Sequence, residues 1–137
     1  ADANHYGNVH GGTIMKLVDE AAFVSATRHA LMNVVTASVD YLSFEHPVRI
    51  GDILILKSSV NHVGTTSMEI GVRIETENLK TGKVYKVGRA YLTMVGMDNR
   101  GRPAPLPTVR LETAIDRDRS RRAVARRAAR LKLREQK

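Results

Sequence analysis

The sequence predicts an α+β domain in which one long apolar helix lies against a curved antiparallel sheet. Three features predict it: a helical apolar pattern from Gly11 to about Leu31, four later segments rich in β-formers, and turn residues that join those segments over short spans. Short connections favour antiparallel neighbours, because a parallel return needs a long crossover.

Residues 2–10 read as a polar, turn-prone entry. In the helix, Ile14, Leu17, Val18, Ala21 and Ser25 recur at helical spacing and form one apolar or small-residue face; Met15, Ala22, Phe23, Ala26 and Ala30 cover another flank. Lys16, Glu20 and Thr27 leave a narrow polar edge, with Arg28 further round. A helix apolar on most sides is expected to be buried on most sides, which here requires a sheet that wraps it. The first strand is VVTASVDYLSFE (34–45), with Val35, Ala37, Val39 and Tyr41 expected on one face. His46-Pro47 and Gly51-Asp52 break the chain. ILILKSSVNHV (53–63) follows, and Gly64-Thr65-Thr66 turns it. SMEIGVRIETE (67–77) alternates, placing Met68, Ile70, Val72 and Ile74 inward and Glu69, Arg73 and Glu75 outward. After a turn at Asn78–Gly82, KVYKVGRAYLTMVGM (83–97) is the last strand, and DNRGRPAP (98–105) ends the sheet. Residues 1–109 make the domain. Residues 110–137 are a basic tail whose helix carries only the thin apolar stripe Val124, Ala128 and Leu131, suited to fraying or to packing on a partner subunit.

The length of 137 residues fits one domain with a core of its own. The absence of cysteine excludes disulfides, thiolate nucleophiles and cysteine-ligated metals, and is compatible with a cytoplasmic protein. No signal peptide and no apolar run of about 18 residues is present, so no membrane span is expected. The chain starts at Ala1 with a motif following at once, so the N-terminus is expected to be incomplete. The net charge of +8 invites a nucleic-acid reading, but 9 Arg and 2 Lys against 4 acids in residues 110–137 account for +7 of it. The body is almost neutral.

The segments DANHYGNVHGGTIMKLVDEAA (2–22), TASVDYLSFEHPVRIGD (36–52), VGTTSMEIGVRIETEN (63–78) and AYLTMVGMDNRGRPAP (90–105) occur in this order within residues 2–107. In them the chain resembles the hotdog-fold acyl-CoA thioesterases, in particular the small bacterial and cytosolic acyl-CoA hydrolases. The resemblance implies a long central helix wrapped by a curved antiparallel sheet, to which this chain adds its Arg-rich C-terminal helix. It implies a homodimer joined sheet edge to sheet edge, with two active sites at the subunit interface, and larger assemblies such as a trimer of dimers. The family's usual first strand, ahead of the DAN element, is missing from this sequence.

Thioester hydrolysis needs a nucleophile or activated water and a stabiliser for the oxyanion. The free N–H groups of a helix start carry partial positive charge, and glycines at 11 and 12 clear the approach to them. Gly11 and Gly12 thus offer an oxyanion site through backbone N–H groups. Asp19 lies about 12 Å along the helix from Gly11 at 1.5 Å per residue, too far for one carbonyl to reach both. The resemblance resolves this by sharing the site: Asp19 of one chain works opposite Asn4 and the Gly-Gly turn of the other. Asp19 then acts as general base on water, or as nucleophile through a mixed anhydride, and Asn4 holds the water or thioester. The bland alternative makes Asp19 a surface carboxylate paired with Lys16, yet its helical position lies among Met15, Phe23 and Ala26. Asn4 as a turn residue is the corresponding alternative. His10 is placed as a helix cap or pocket residue, with proton transfer a lesser role, and Glu20 as a solvated neighbour. His29, His46 and His62 have no metal-ligand spacing, so no metal and no cofactor is expected beyond coenzyme A as part of the substrate.

Coenzyme A needs donors and positive charge at the site's mouth. Thr66 and Ser67 in the VGTTS turn, and Lys57, Arg73 and Arg89, are candidates, with an ordinary turn and surface charges as the alternative. The acyl chain is expected to pass Met15 and Phe23. The tail reads as a solvated or subunit-packing helix, as an attractor of anionic acyl-CoA, or as a nucleic-acid or membrane contact; no aromatic residue interleaves its arginines to stack bases. Beside the thioesterase stand a non-catalytic acyl-CoA-binding protein and a nucleic-acid-binding module. A hotdog dehydratase would want a His and carboxylate pair that is not found.

Overall fold

The computed structural model of the protein describes residues 7–136. Helix α1 (Gly11–Ala30) is followed by strands β1 (Asn33–Phe44), β2 (Ile53–Val63), β3 (Ser67–Glu77) and β4 (Val84–Met97) and by helix α2 (Ala114–Glu135). The strands form one antiparallel sheet in the order β1-β4-β3-β2. The expected order of one helix and four strands is therefore observed.

α1 lies on one face of this sheet. Its buried residues are Ile14, Val18, Ala22, Ala26 and Ala30, a single ridge at a spacing of four. Three alanines on that ridge let the helix axis approach β3 and β4, whose Met68, Ile70, Val72, Ile74, Ala90, Leu92 and Met94 complete the core. Burial on most sides is not observed. Leu17, Phe23 and Val24 remain 38%, 47% and 46% exposed, because a four-stranded sheet covers one side of a helix only. The chain leaves α1 through Leu31 in the left-handed conformation, its N–H bonded to the Thr27 carbonyl at 2.9 Å.

The expected faces of β3 are observed, while those of β1 are not. Register shifts against β4 fall between Thr36 and Ser38 and between Val39 and Tyr41. Each inserts an extra residue and reverses the alternation. Val34, Thr36, Val39 and Leu42 stand opposite Gly96, Met94, Leu92 and Ala90 and so share the face toward α1. Val35 and Tyr41 stand opposite Val95 and Tyr91 on the other face. Val35, Ala37, Val39 and Tyr41 thus do not line one face.

α2 covers part of the sheet's outer face, so the helix expected to fray or to seek a partner subunit packs on its own domain. It starts at a capping box: the Thr113 hydroxyl accepts the Asp116 N–H at 3.0 Å and the Asp116 carboxylate accepts the Thr113 N–H at 3.2 Å. The docking face is not the expected stripe, since Val124 and Leu131 are 47% and 45% exposed. Ala123 is buried instead, flanked by Arg126 and Arg130, which reach Glu69 and Asp40. Glu69 points outward as expected and is nonetheless 5% exposed, because Arg126 lies over it.

One glycine is required by contact. A Cβ at Gly88 would collide with the Ser43 carbonyl where β4 passes β1. Gly88→Ala is expected to cost about 1–3 kcal/mol, read as a lowered urea midpoint with unchanged slope.

Candidate active site

The start of α1 is built as an open donor. The His10 carbonyl accepts the N–H of Thr13 at 3.1 Å and of Ile14 at 3.2 Å, so the helical ladder begins at Thr13. The N–H groups of Gly11 and Gly12 stand ahead of it, at the positive end of a 20-residue helix. Both glycines are exposed. A Cβ at Gly12 would meet nothing within 4 Å, whereas one at Gly11 would lie 3.2 Å from the Phe44 ring. An anionic oxygen can therefore approach this turn from the solvent side. His10 holds the N-cap position, but its side chain makes no cap hydrogen bond; its contribution to the helix start is its carbonyl.

Asp19 sits on the flank of α1 formed by Met15, Asp19 and Phe23, one ridge away from the buried alanines. Met15 packs against the core and Phe23 is half-exposed. The Asp19 carboxylate is partly buried, and its Oδ1 accepts a hydrogen bond from the Thr36 hydroxyl at 2.7 Å. Among the described residues no ion pair joins it to Lys16. The carboxylate is thus oriented by a neutral donor and keeps acceptor capacity for a water or substrate. Thr36 was missed by reasoning from the sequence. It stands opposite Met94 on the α1 face, and the expectation of one continuous face through Val35, Ala37, Val39 and Tyr41 gave it no part.

Within one chain the expected site residues do not converge. Gly11 lies beside Phe44, which pairs with Gly88, at one end of the sheet. Thr66 and Ser67 lie at the other: the Thr66 carbonyl accepts the Gly96 N–H at 3.0 Å, and Ser67 pairs with Val95. Asp19 occupies the middle of α1, next to β1, which is an edge of the sheet. Asn4 lies outside the described residues. Among the described residues no group of three His, Cys, Asp or Glu side chains could hold a metal ion, and no helix is long and apolar enough to cross a membrane.

Residues 6–83 match the thioesterase superfamily. YkhA of Bacillus subtilis, named an uncharacterized acyl-CoA thioester hydrolase, is 39% identical over 112 residues, 82% of this chain and 65% of that protein. The chain likewise spans 65% of the length of protein VdlD of Helicobacter pylori, at 36% identity over 83% of itself. Among solved structures, a hexameric acyl-CoA thioesterase superposes with a TM-score of 0.91 at 40% identity, covering 96% of this chain and 84% of that one. An acyl-CoA hydrolase from Staphylococcus aureus, in complex with butyryl coenzyme A and coenzyme A, gives 0.90 at 36% identity over 98% of this chain and 82% of that one. Further structures of the S. aureus hydrolase carry alanine in place of an asparagine, of an aspartate and of a threonine.

Proposed function

The chain belongs to the thioesterase superfamily, and from that premise we propose that it hydrolyses fatty acyl-CoA to the free acid and coenzyme A. The observation that carries the reading is the Asp19 carboxylate, held by the Thr36 hydroxyl beside an edge strand. The asparagine, aspartate and threonine replaced in the S. aureus hydrolase have the same order and spacing as Asn4, Asp19 and Thr36.

The site is completed by a second copy. Two copies of β1 paired antiparallel would set the Thr36 end of one near the Phe44 end of the other. Asp19 of one chain would then face the Gly11–Gly12 turn of its partner, and the Thr66–Ser67 turn would lie at the same end. This pairing also covers exposed apolar side chains of α1 and β1, among them Phe23 and Val39. Asp19 removes a proton from water as the water attacks the thioester carbon, or attacks that carbon itself to form a mixed anhydride that water then hydrolyses, releasing the acid and restoring the carboxylate. The carbonyl oxygen takes up negative charge at the Gly11 and Gly12 N–H groups. The carbon–sulfur bond then breaks, and the thiolate leaves and takes a proton. Asn4 positions the water or the thioester, His10 borders the turn, and Met15 and Phe23 line the acyl path. Three such dimers would make the hexamer known for a similar thioesterase. The arginines of α2 that are tied to Glu69, Asp40 and Asp118 speak against a free nucleic-acid-binding tail.

Release of free thiol from acyl-CoAs of several chain lengths tests the reading, and no release at any chain length would sink it. Removing the Thr36 hydroxyl should loosen Asp19 without deleting it. Thr36→Val is expected to lower kcat about 10-fold, the equivalent of about 1.4 kcal/mol for a hydrogen bond to a charged group, with Thr36→Ser restoring most of the loss.

A further inference from the structure

We propose that Gly7 is a positioning residue: its left-handed backbone lets residues 7–9 pair with the β1–β2 connection, and that pairing fixes the Gly11–Gly12 turn and the start of the Asn4 segment together. The inference rests on the proposed hydrolysis, in which Asn4 and the Gly-Gly turn of one chain serve the same site.

Gly7 has a φ of +78°, in the region that suits glycine, then asparagine, and penalises other residues. A short antiparallel bridge follows it. Asn8 stands opposite Arg49, the Val9 N–H donates to the Val48 carbonyl at 2.8 Å, and the Ile50 N–H donates to the Gly7 carbonyl at 3.2 Å. Two side chains peg this bridge to the domain: Val48 is buried, and Val9 packs against the core. His10 comes next, and its carbonyl opens the helical ladder of α1. Gly11 then stands beside Phe44, where β1 ends and the same connection begins. The donor turn is therefore held by the bridge on one side and by the end of β1 on the other. Asn4 is three peptide links upstream of Gly7, so the Gly7 dihedral sets the direction in which the chain leaves the bridge toward it. Donors to a developing oxyanion act only at close range, which makes a small rotation here costly to the rate.

Space does not call for glycine at this position, because a Cβ at Gly7 would meet nothing within 4 Å. Gly7→Ala thus acts through the backbone alone. Gly82 supplies a matched control: its φ is +71°, a Cβ there would also meet nothing within 4 Å, and its turn between β3 and β4 carries no proposed site residue.

Kinetics on the acyl-CoA that the parent hydrolyses fastest, with amide hydrogen exchange, test the inference. Gly7→Ala is expected to lower kcat about 10–10²-fold while KM changes less than about 2-fold, the mark of an interaction made in the transition state. Gly7→Asn, which tolerates the left-handed region, should restore most of the rate. Gly82→Ala should lower the urea midpoint to a similar extent at the parent's kcat. The exchange readout needs no hydrolysis: the Val9 and Ile50 amides should exchange about 10-fold faster in Gly7→Ala than in Gly82→Ala. The parent's kcat in Gly7→Ala, an equal kcat loss in Gly82→Ala, a loss in Gly7→Asn as deep as in Gly7→Ala, or unchanged exchange at Val9 and Ile50 overturns the inference and leaves hydrolysis standing. No thiol release from the parent sinks the hydrolytic reading instead, and the exchange rates then decide by themselves whether Gly7 holds the bridge.

Discussion

Alanine at Asp19 is expected to lower the rate of thiol release from acyl-CoA by about 10²–10⁴-fold while leaving the thermal midpoint nearly unchanged. The magnitude is that of a lost general base, and loss of a nucleophile would be at least as severe. The midpoint should hold because Asp19 is partly exposed and its observed bond is to one hydroxyl, which water can replace. Asp19→Asn sharpens the test. The amide keeps the size and can still accept from Thr36, but it neither removes a proton nor attacks a thioester. A rate as low as that of Asp19→Ala identifies the carboxylate as the reacting group; a rate near the parent's makes it a positioning group. Full activity in Asp19→Ala at every chain length ends the proposal. The shared site makes a separate demand. Mixing Asp19→Ala chains with Asn4→Ala chains should restore about a quarter of the parent rate, since half the dimers in a random mixture are mixed and each holds one intact site. No recovery would place both residues in one chain's site.

The sequence carried the fold well where apolar spacing and turn residues agree. β3 shows why: Met68, Ile70, Val72 and Ile74 alternate without interruption, and all four are buried. β1 is as rich in β-formers, yet its faces were misread, because nothing in VVTASVDYLSF marks where an extra residue enters the ladder. The same misreading gave Thr36 no part. Asp19 could be singled out because a carboxylate among Met15, Phe23 and Ala26 departs from its surroundings; the threonine that orients it does not. The hotdog architecture, a helix against a curved sheet, also explains the misplaced expectation about α1. Leu17, Phe23 and Val24 were legible as apolar, but an apolar pattern does not say how much of a helix one sheet can cover, and these three stay partly exposed. For α2 the apolar stripe misled for another reason: the helix docks mainly by charge, and a guanidinium in an Arg-rich run gives no sign of which carboxylate it meets.

That charge docking yields the largest expected stability effect. Glu69 is 5% exposed and accepts Arg126 Nε at 2.8 Å, Arg126 Nη2 at 2.7 Å and Asn61 Nδ2 at 2.9 Å. The guanidinium of Arg126 lies 3.7 Å from the centre of the Tyr91 ring. Arg126→Ala would strand a buried carboxylate with Asn61 as its remaining partner, at a cost of about 3–5 kcal/mol. In urea this should move the midpoint down by more than about 1 M. Glu69→Ala should cost less, because Arg126 can swing its long side chain toward solvent. Replacing both, as Glu69→Leu with Arg126→Met, should recover most of the loss, since an apolar pair avoids the desolvation that the ion pair carries. A double-mutant cycle therefore should give a coupling of at least about 2 kcal/mol, in the upper range for contacting residues. Coupling below about 0.5 kcal/mol would mean that water reaches Glu69 once α2 is disturbed. Limited proteolysis distinguishes the routes: cleavage within 114–135 of Arg126→Ala with the sheet intact shows that α2 has lifted, whereas cooperative loss of the whole domain shows that the buried pair ties α2 to the core.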